Sequence, residues 1–145
     1  MKKTVLAAAT VLALMQSPLF AGGKHDTLPV TFASIQALED KKGNKLDGSV
    51  KFYFADEKAP AKGGEIISSH GNTSGLGRDK EGKCRWALLG AFLKFQERAK
   101  REGMTKVVDV KTSSDSDQTS GARDKCLCAV GNVRVGTTVT GRLAK

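Results

Sequence analysis

The sequence predicts an α+β domain: a small mixed or antiparallel sheet covered by one long helix over residues 83–102. Three observations carry that expectation. The stretch Lys83–Glu102 is the one long segment with strong helical periodicity. Short apolar segments rich in β-branched or aromatic residues stand on both sides of it. Their order, a short helix, two strands, the long helix, then two or three strands, suits a helix packed across one sheet.

The first 21 residues are set apart from that domain. Lys2 and Lys3 make a positive n-region, Thr4–Met15 an apolar h-region, and Gln16-Ser17-Pro18 breaks it before a small Ala21. This is the pattern of a secretory signal peptide cleaved near Ala21. The apolar run falls short of the ~18–20 residues of a spanning helix. No cysteine follows it closely, so the reading is a periplasmic or secreted protein with no stable membrane anchor. Residues 22–27 read as a flexible leader, and 28–145 as a single α+β domain.

Taken in order, Leu28-Pro29-Val30 is extended, because Pro29 moves its predecessor out of the α region. Thr31 or Ser34 can cap a short helix through Ile35, Leu38 and Asp40. A turn at Lys41–Lys45 precedes Val50–Phe54, where Val50, Phe52 and Phe54 share one face of a strand. Glu65–His70 is a second strand, and Gly71–Gly82 a Gly-rich loop. After the long helix, Lys106–Val110 is a strand, Ser113–Asp124 a polar loop, and Lys125–Gly136 strand-like with a turn at Gly131-Asn132. Val139 and Leu143 end the chain as a short edge strand.

At 100° per residue the long helix carries two apolar stripes. Cys84, Leu88, Ala91, Phe92, Phe95 and Ala99 form the one expected to meet the sheet. Trp86, Leu89 and Leu93 form a second on nearly the opposite face. One stripe suffices to pack a helix on a sheet, so the second is a candidate interaction face for a protein partner or another copy. Gly103 is placed as the left-handed residue after the helix, with Lys100 and Arg101 near the negative end of its dipole.

The formal net charge is +9, of which Lys2 and Lys3 supply two. Acidic residues interleave with the basic ones, and aromatics are only 6% of the chain. No basic run alternates with stacking residues, so the charge describes a solvated surface and not a nucleic-acid interface.

Three cysteines, Cys84, Cys126 and Cys128, remain in a chain read as exported, where thiols oxidise. Cys126 and Cys128 fall on one face of a strand. Cys84 lies on the buried stripe at the start of the helix. The expected disulfide is Cys84–Cys128, with Cys126 as the alternative partner. A metal site has only weak candidates in Cys126, Cys128 and His70, whose spacing fits no zinc pattern, and no metal or other cofactor is expected. The run Gly77–Cys84 spells GxxxxGK at a helix start. Cys84 stands where a phosphate loop needs Ser or Thr to hold Mg²⁺, and it is a poor ligand for that ion. No Ser/His/Asp arrangement marks a catalytic residue.

Leu46–Phe54, Cys84–Leu93, Gln96–Ala99 and Gly103 together resemble a family of small exported bacterial proteins often described as "excinuclease ATPase subunit". That description implies an ATP-driven DNA repair enzyme, which the length, the leader and the incomplete phosphate loop do not support. The order strand, helix ending in Gly103, then Val107-Val108 is also similar to the YbjQ-like domain and to the Rcs outer-membrane sensor lipoprotein. Those resemblances imply a sheet with one main helix, a ring-forming oligomer for the first, and a disulfide-stapled fold for the second. The functional expectation is an exported, non-enzymatic domain that acts by binding or assembly in the cell envelope. Its alternative is a metal or small-ligand binder built on Cys126, Cys128 and His70.

Overall fold

The computed structural model describes residues 26–114 and 118–145. Residues 1–25, where a signal peptide at 1–21 and most of a leader are expected, lie outside the described residues, as do residues 115–117. Mixed α and β structure is present, with the sheet as the larger part. Among the described residues there are seven strands and two helices. The strands are β1 (Asp26–Val30), β2 (Lys51–Phe54), β3 (Ile66–Ser74), β4 (Lys106–Ser114), β5 (Gln118–Ser120), β6 (Cys126–Val130) and β7 (Arg134–Ala144). The helices are α1 (Phe32–Gln36) and α2 (Lys80–Arg101).

The sheet is mixed and curled. β2 runs parallel to β4, and every other pairing is antiparallel. β7 is its centre and not the short edge strand expected from Val139 and Leu143. Along one edge β7 pairs β3 over nine positions; along the other it pairs first β6, then β4. Its inward residues Val135, Thr137, Val139, Gly141 and Leu143 alternate perfectly, but a threonine and a glycine hide the apolar period. Where β7 passes from β6 to β4 the backbone ladder opens. Two threonines fill the gap: the Leu127 N–H donates to Thr112 Oγ1 at 2.9 Å, and Thr137 Oγ1 donates to the Leu127 carbonyl at 2.7 Å. Both threonines are buried, so each satisfies a backbone group that water cannot reach.

Other boundaries move for local reasons. Asp26 and Thr27, expected in the leader, begin β1 and pair Val130 and Ala129. β3 runs four residues past His70 into the stretch read as a loop. Gly71 does not break it; a Cβ there would collide with the Ala87 carbonyl of α2, so the glycine lets helix and strand backbones meet. β4 continues through Ser114 because Asp109 absorbs a register shift in the left-handed region, at φ 57°. Within the polar stretch expected as a loop, Gln118–Ser120 form β5 and pair antiparallel with Thr112–Ser114 of β4.

Capping explains the helix ends. Thr31, not Ser34, caps α1, with its Oγ1 accepting from the Ser34 N–H at 3.2 Å. α2 starts three residues before Lys83 because the Asp79 carboxylate accepts from the Gly82 N–H at 2.9 Å. Its end is a Schellman motif: Gly103 sits at φ 72°, its N–H reaches the Lys100 carbonyl, and the Met104 N–H reaches the Ala99 carbonyl.

α2 packs against β3, β7 and β6. Its first stripe is wholly buried: Cys84, Leu88, Ala91, Phe92, Phe95 and Ala99. Phe92 meets Phe32 and Phe52 edge to face, with ring centroids 4.9 and 5.2 Å apart. The Arg123 guanidinium seals this cluster, lying 5.2 Å from the Phe32 centroid and 5.1 Å from that of Phe54. It holds Glu57 through two hydrogen bonds of 2.7 and 2.9 Å and also donates to the Phe52 carbonyl. Among the described residues no helix is long and apolar enough to cross a membrane.

Candidate functional site

Two features meet at the N-terminal half of α2: a cysteine pair beneath it and a groove above it. Cys84 and Cys128 are at disulfide distance, with Cα atoms 5.8 Å apart and both residues fully buried. Cys126 is a buried free thiol, its Sγ against the Arg123 carbonyl. Burial pushes its pKa up to about 12, partly opposed by the Arg123 charge. A thiol in that state is no nucleophile at neutral pH.

His70 does not join the cysteines. Residues alternate faces along a strand, and Gly71 is the one that meets α2. His70 therefore sits on the other face, where its Nδ1 lies 2.9 Å from Thr138 Oγ1. The weak metal candidates Cys126, Cys128 and His70 are thus divided between two sides of the sheet. Among the described residues no group of three His, Cys, Asp or Glu side chains is placed to hold a metal.

The GxxxxGK run makes no phosphate cradle. Its Gly82 and Lys83 lie inside the first turn of α2, and the Asp79 carboxylate already occupies the helix N-terminus. A phosphate there would meet a fixed negative charge at the dipole's positive end. Lys80 turns away, donating to the Gly75 and Gly131 carbonyls.

The second stripe divides as well. Trp86 is 40% exposed, Leu93 is partly buried, and Leu89 is 1% exposed. Leu89 therefore belongs to the core and not to a bare face, and the α1–β2 connection is tied to the same helix. That connection is anchored by Gln96, which accepts from the Asp47 N–H and donates to the Lys45 carbonyl, both at 3.0 Å. Lys100 adds an ion pair to Asp47 at 2.7 Å.

Between this connection and β3 lies a groove of about 750 Å³. Trp86, Leu89, Gly90 and Leu93 line it from α2. A Cβ at Gly90 would touch nothing within 4 Å, so the groove is open above it. Lys41, Lys42 and Lys83 bring positive charge to its rim. The two acids beside them are engaged: Asp79 caps α2, and Asp40 accepts from Lys42 N, Asn44 N and Asn44 Nδ2. Those bonds, the Asn44 side chain foremost, hold the Asp40 carboxyl below its usual value. The groove is therefore an apolar floor with an aromatic plate and a rim of mixed charge, three lysines against two hydrogen-bonded carboxylates. Periodicity pointed to the floor; the 40–44 wall carries no apolar pattern that would announce it.

Neither a protein-family model, nor a curated protein, nor a solved structure matches this chain.

Proposed function

We propose that the chain is a non-enzymatic binding or assembly domain exported to the bacterial envelope, related to the small exported family its sequence resembles. In this reading α2 is a lid held to the sheet at its start by Cys84–Cys128 and at its end by the Gly103 turn. The Trp86 groove receives an apolar segment of a protein partner or of a second copy. One observation carries the reading: a large aromatic side chain stands 40% exposed over a groove of about 750 Å³, on a helix whose other large apolar residues are buried or partly buried. Tryptophan is enriched at binding hot spots because it supplies much apolar area at little entropic cost. A rigid, stapled platform suits such a role, since pre-organisation lowers the ordering cost of association.

The test places a photoreactive amino acid at position 86 in cells that export the protein, with position 53 as control. Tyr53 lies on β2, away from the groove. The expected result is a discrete protein adduct from 86 and none from 53, its mass showing whether the partner is a second copy. Purified protein then gives the same answer by light scattering, with Trp86→Lys abolishing the complex. Equal or absent crosslinking from the two positions sinks the proposal.

A further inference from the structure

The sheet has a second docking feature, on the outer edge of β3. β3 is nine residues long, pairs only β7 among the described strands, and keeps one register throughout. The Gly75 N–H donates to the Val133 carbonyl, whereas the Arg134 carbonyl accepts from Gly131 on the other side of β7. In an antiparallel ladder both backbone groups of a residue point to the same edge. Odd-numbered residues of β3 therefore face β7, and Ser68, His70 and Asn72 present N–H and C=O outward. One of these outward groups already holds a stand-in: Lys94 Nζ, reaching over from α2, donates to the His70 carbonyl at 2.7 Å. The other edges among the described strands are poor templates, since β1 carries Pro29, β2 has four residues and a register shift, and β5 has three residues.

A groove of about 450 Å³ runs between this edge and the C-terminal half of α2. Its strand wall includes Ile67 and Ser68; its helix wall carries Lys94, Arg98 and Arg101 against the single acid Glu97. Arg98 is partly neutralised by Glu102 at 2.8 Å. We propose that this groove takes an extended, acidic polypeptide segment of a partner protein, added as an extra strand on β3. The incoming backbone pairs with Ser68 and His70, and displaces the Lys94 ammonium onto an acidic side chain. Strand addition of this kind draws affinity from main-chain hydrogen bonds and selectivity from the flanking side chains. The same cations argue against a second copy on this edge: two-fold pairing of β3 would bring two sets of Lys94, Arg98 and Arg101 together. This inference does not depend on the Trp86 groove.

The test selects binders for the folded protein from a displayed library of random peptides of β3's length. The expected winners alternate β-branched residues with Asp or Glu. On binding, amide exchange should slow at Ser68 and His70. Ser68→Pro removes an outward N–H, and should weaken binding about ten-fold or more. The paired variant Arg98→Glu with Arg101→Glu alters exposed side chains only, and should move selection to basic peptides even if Ser68→Pro fails to fold. No enrichment, basic winners on the native protein, or unchanged exchange at Ser68 and His70 would each overturn the proposal. So would winners that bind the charge-reversed protein as well as the native one.

Discussion

Removing the Cys84–Cys128 pair should be the most costly pair of conservative changes in this domain. The two residues are 44 apart in sequence. Closing a loop of that size lowers the entropy of the unfolded chain enough to stabilise the fold by about 4 kcal/mol at 25 °C. That is a large share of the ~5–15 kcal/mol that holds a typical domain folded. Cys84→Ala with Cys128→Ala tests it, because alanine leaves no polar atom in the two fully buried positions. Urea unfolding should show the midpoint falling and the slope rising, since the unlinked chain exposes more surface when unfolded. Reducing the wild type should reproduce most of the loss, which separates the bond from the lost sulfur contacts. Thiol counting on unreduced, denatured protein should find one thiol, from Cys126. Three thiols, or a loss below about 1 kcal/mol, would refute the staple and the entropic reasoning with it.

Three further changes probe other parts of the structure. Gly71→Ala should cost at least ~1–3 kcal/mol in thermal or urea unfolding, because its Cβ forces α2 off β3; an unchanged midpoint would show that the close approach is not needed. Acid should destabilise the fold. Hydrogen bonds from Arg123 hold Glu57 below its ordinary value, and those from Lys100 and Ser49 hold Asp47 well below its own. Both carboxyls are depressed on folding, so their contribution is complete above ~pH 4–5 and is lost as pH falls further. Urea midpoints should be flat from about pH 7 to 5 and then drop, with a smaller drop in Arg123→Met; a rise on acidification would contradict the sign. Finally, with burial holding the Cys126 thiol up at about 12, iodoacetamide at neutral pH should leave native protein unmodified and label it once unfolded. Fast labelling of the native state would show that Cys126 is not buried as described.

The helical part of the fold was legible because its determinants are local. A 3.6 period located the buried face from Cys84 to Ala99, and a glycine marked the end of α2. Its start was missed by three residues, because the Asp79 cap stands among other charged residues that carry no periodicity. The strands were harder for a physical reason. β7 buries alternate residues that include Thr137 and Gly141, and what qualifies them is a gap to plug and a neighbour to admit, not hydrophobicity. A Cβ on Gly141 would press against Val107 Cγ1 and the Val108 carbonyl. A strand built by packing constraints from three neighbours cannot be read from its own apolar pattern. The same holds for Gly71, which punctuates a sequence but in space is a contact.

The candidate site shows where that limit falls. Periodicity identified a second stripe on α2 but treated it as one surface. The structure separates it, because Leu89 is buried while Trp86 is not. Beside it, Gln96 ties the 40–50 connection to the helix by a pair of hydrogen bonds to backbone atoms. Gln96 itself is buried and polar, and it lies between the two stripes where nothing apolar marks it. Trp86 remains exposed in the early turns of α2, where residues 40–44 of the same connection wall the groove beside it. The staple at Cys84 lies under those same turns, two residues from Trp86. Trp86 is thus exposed directly above the turns that the staple holds from below, which is the arrangement a docking surface requires if binding is not to spend its energy on ordering the helix.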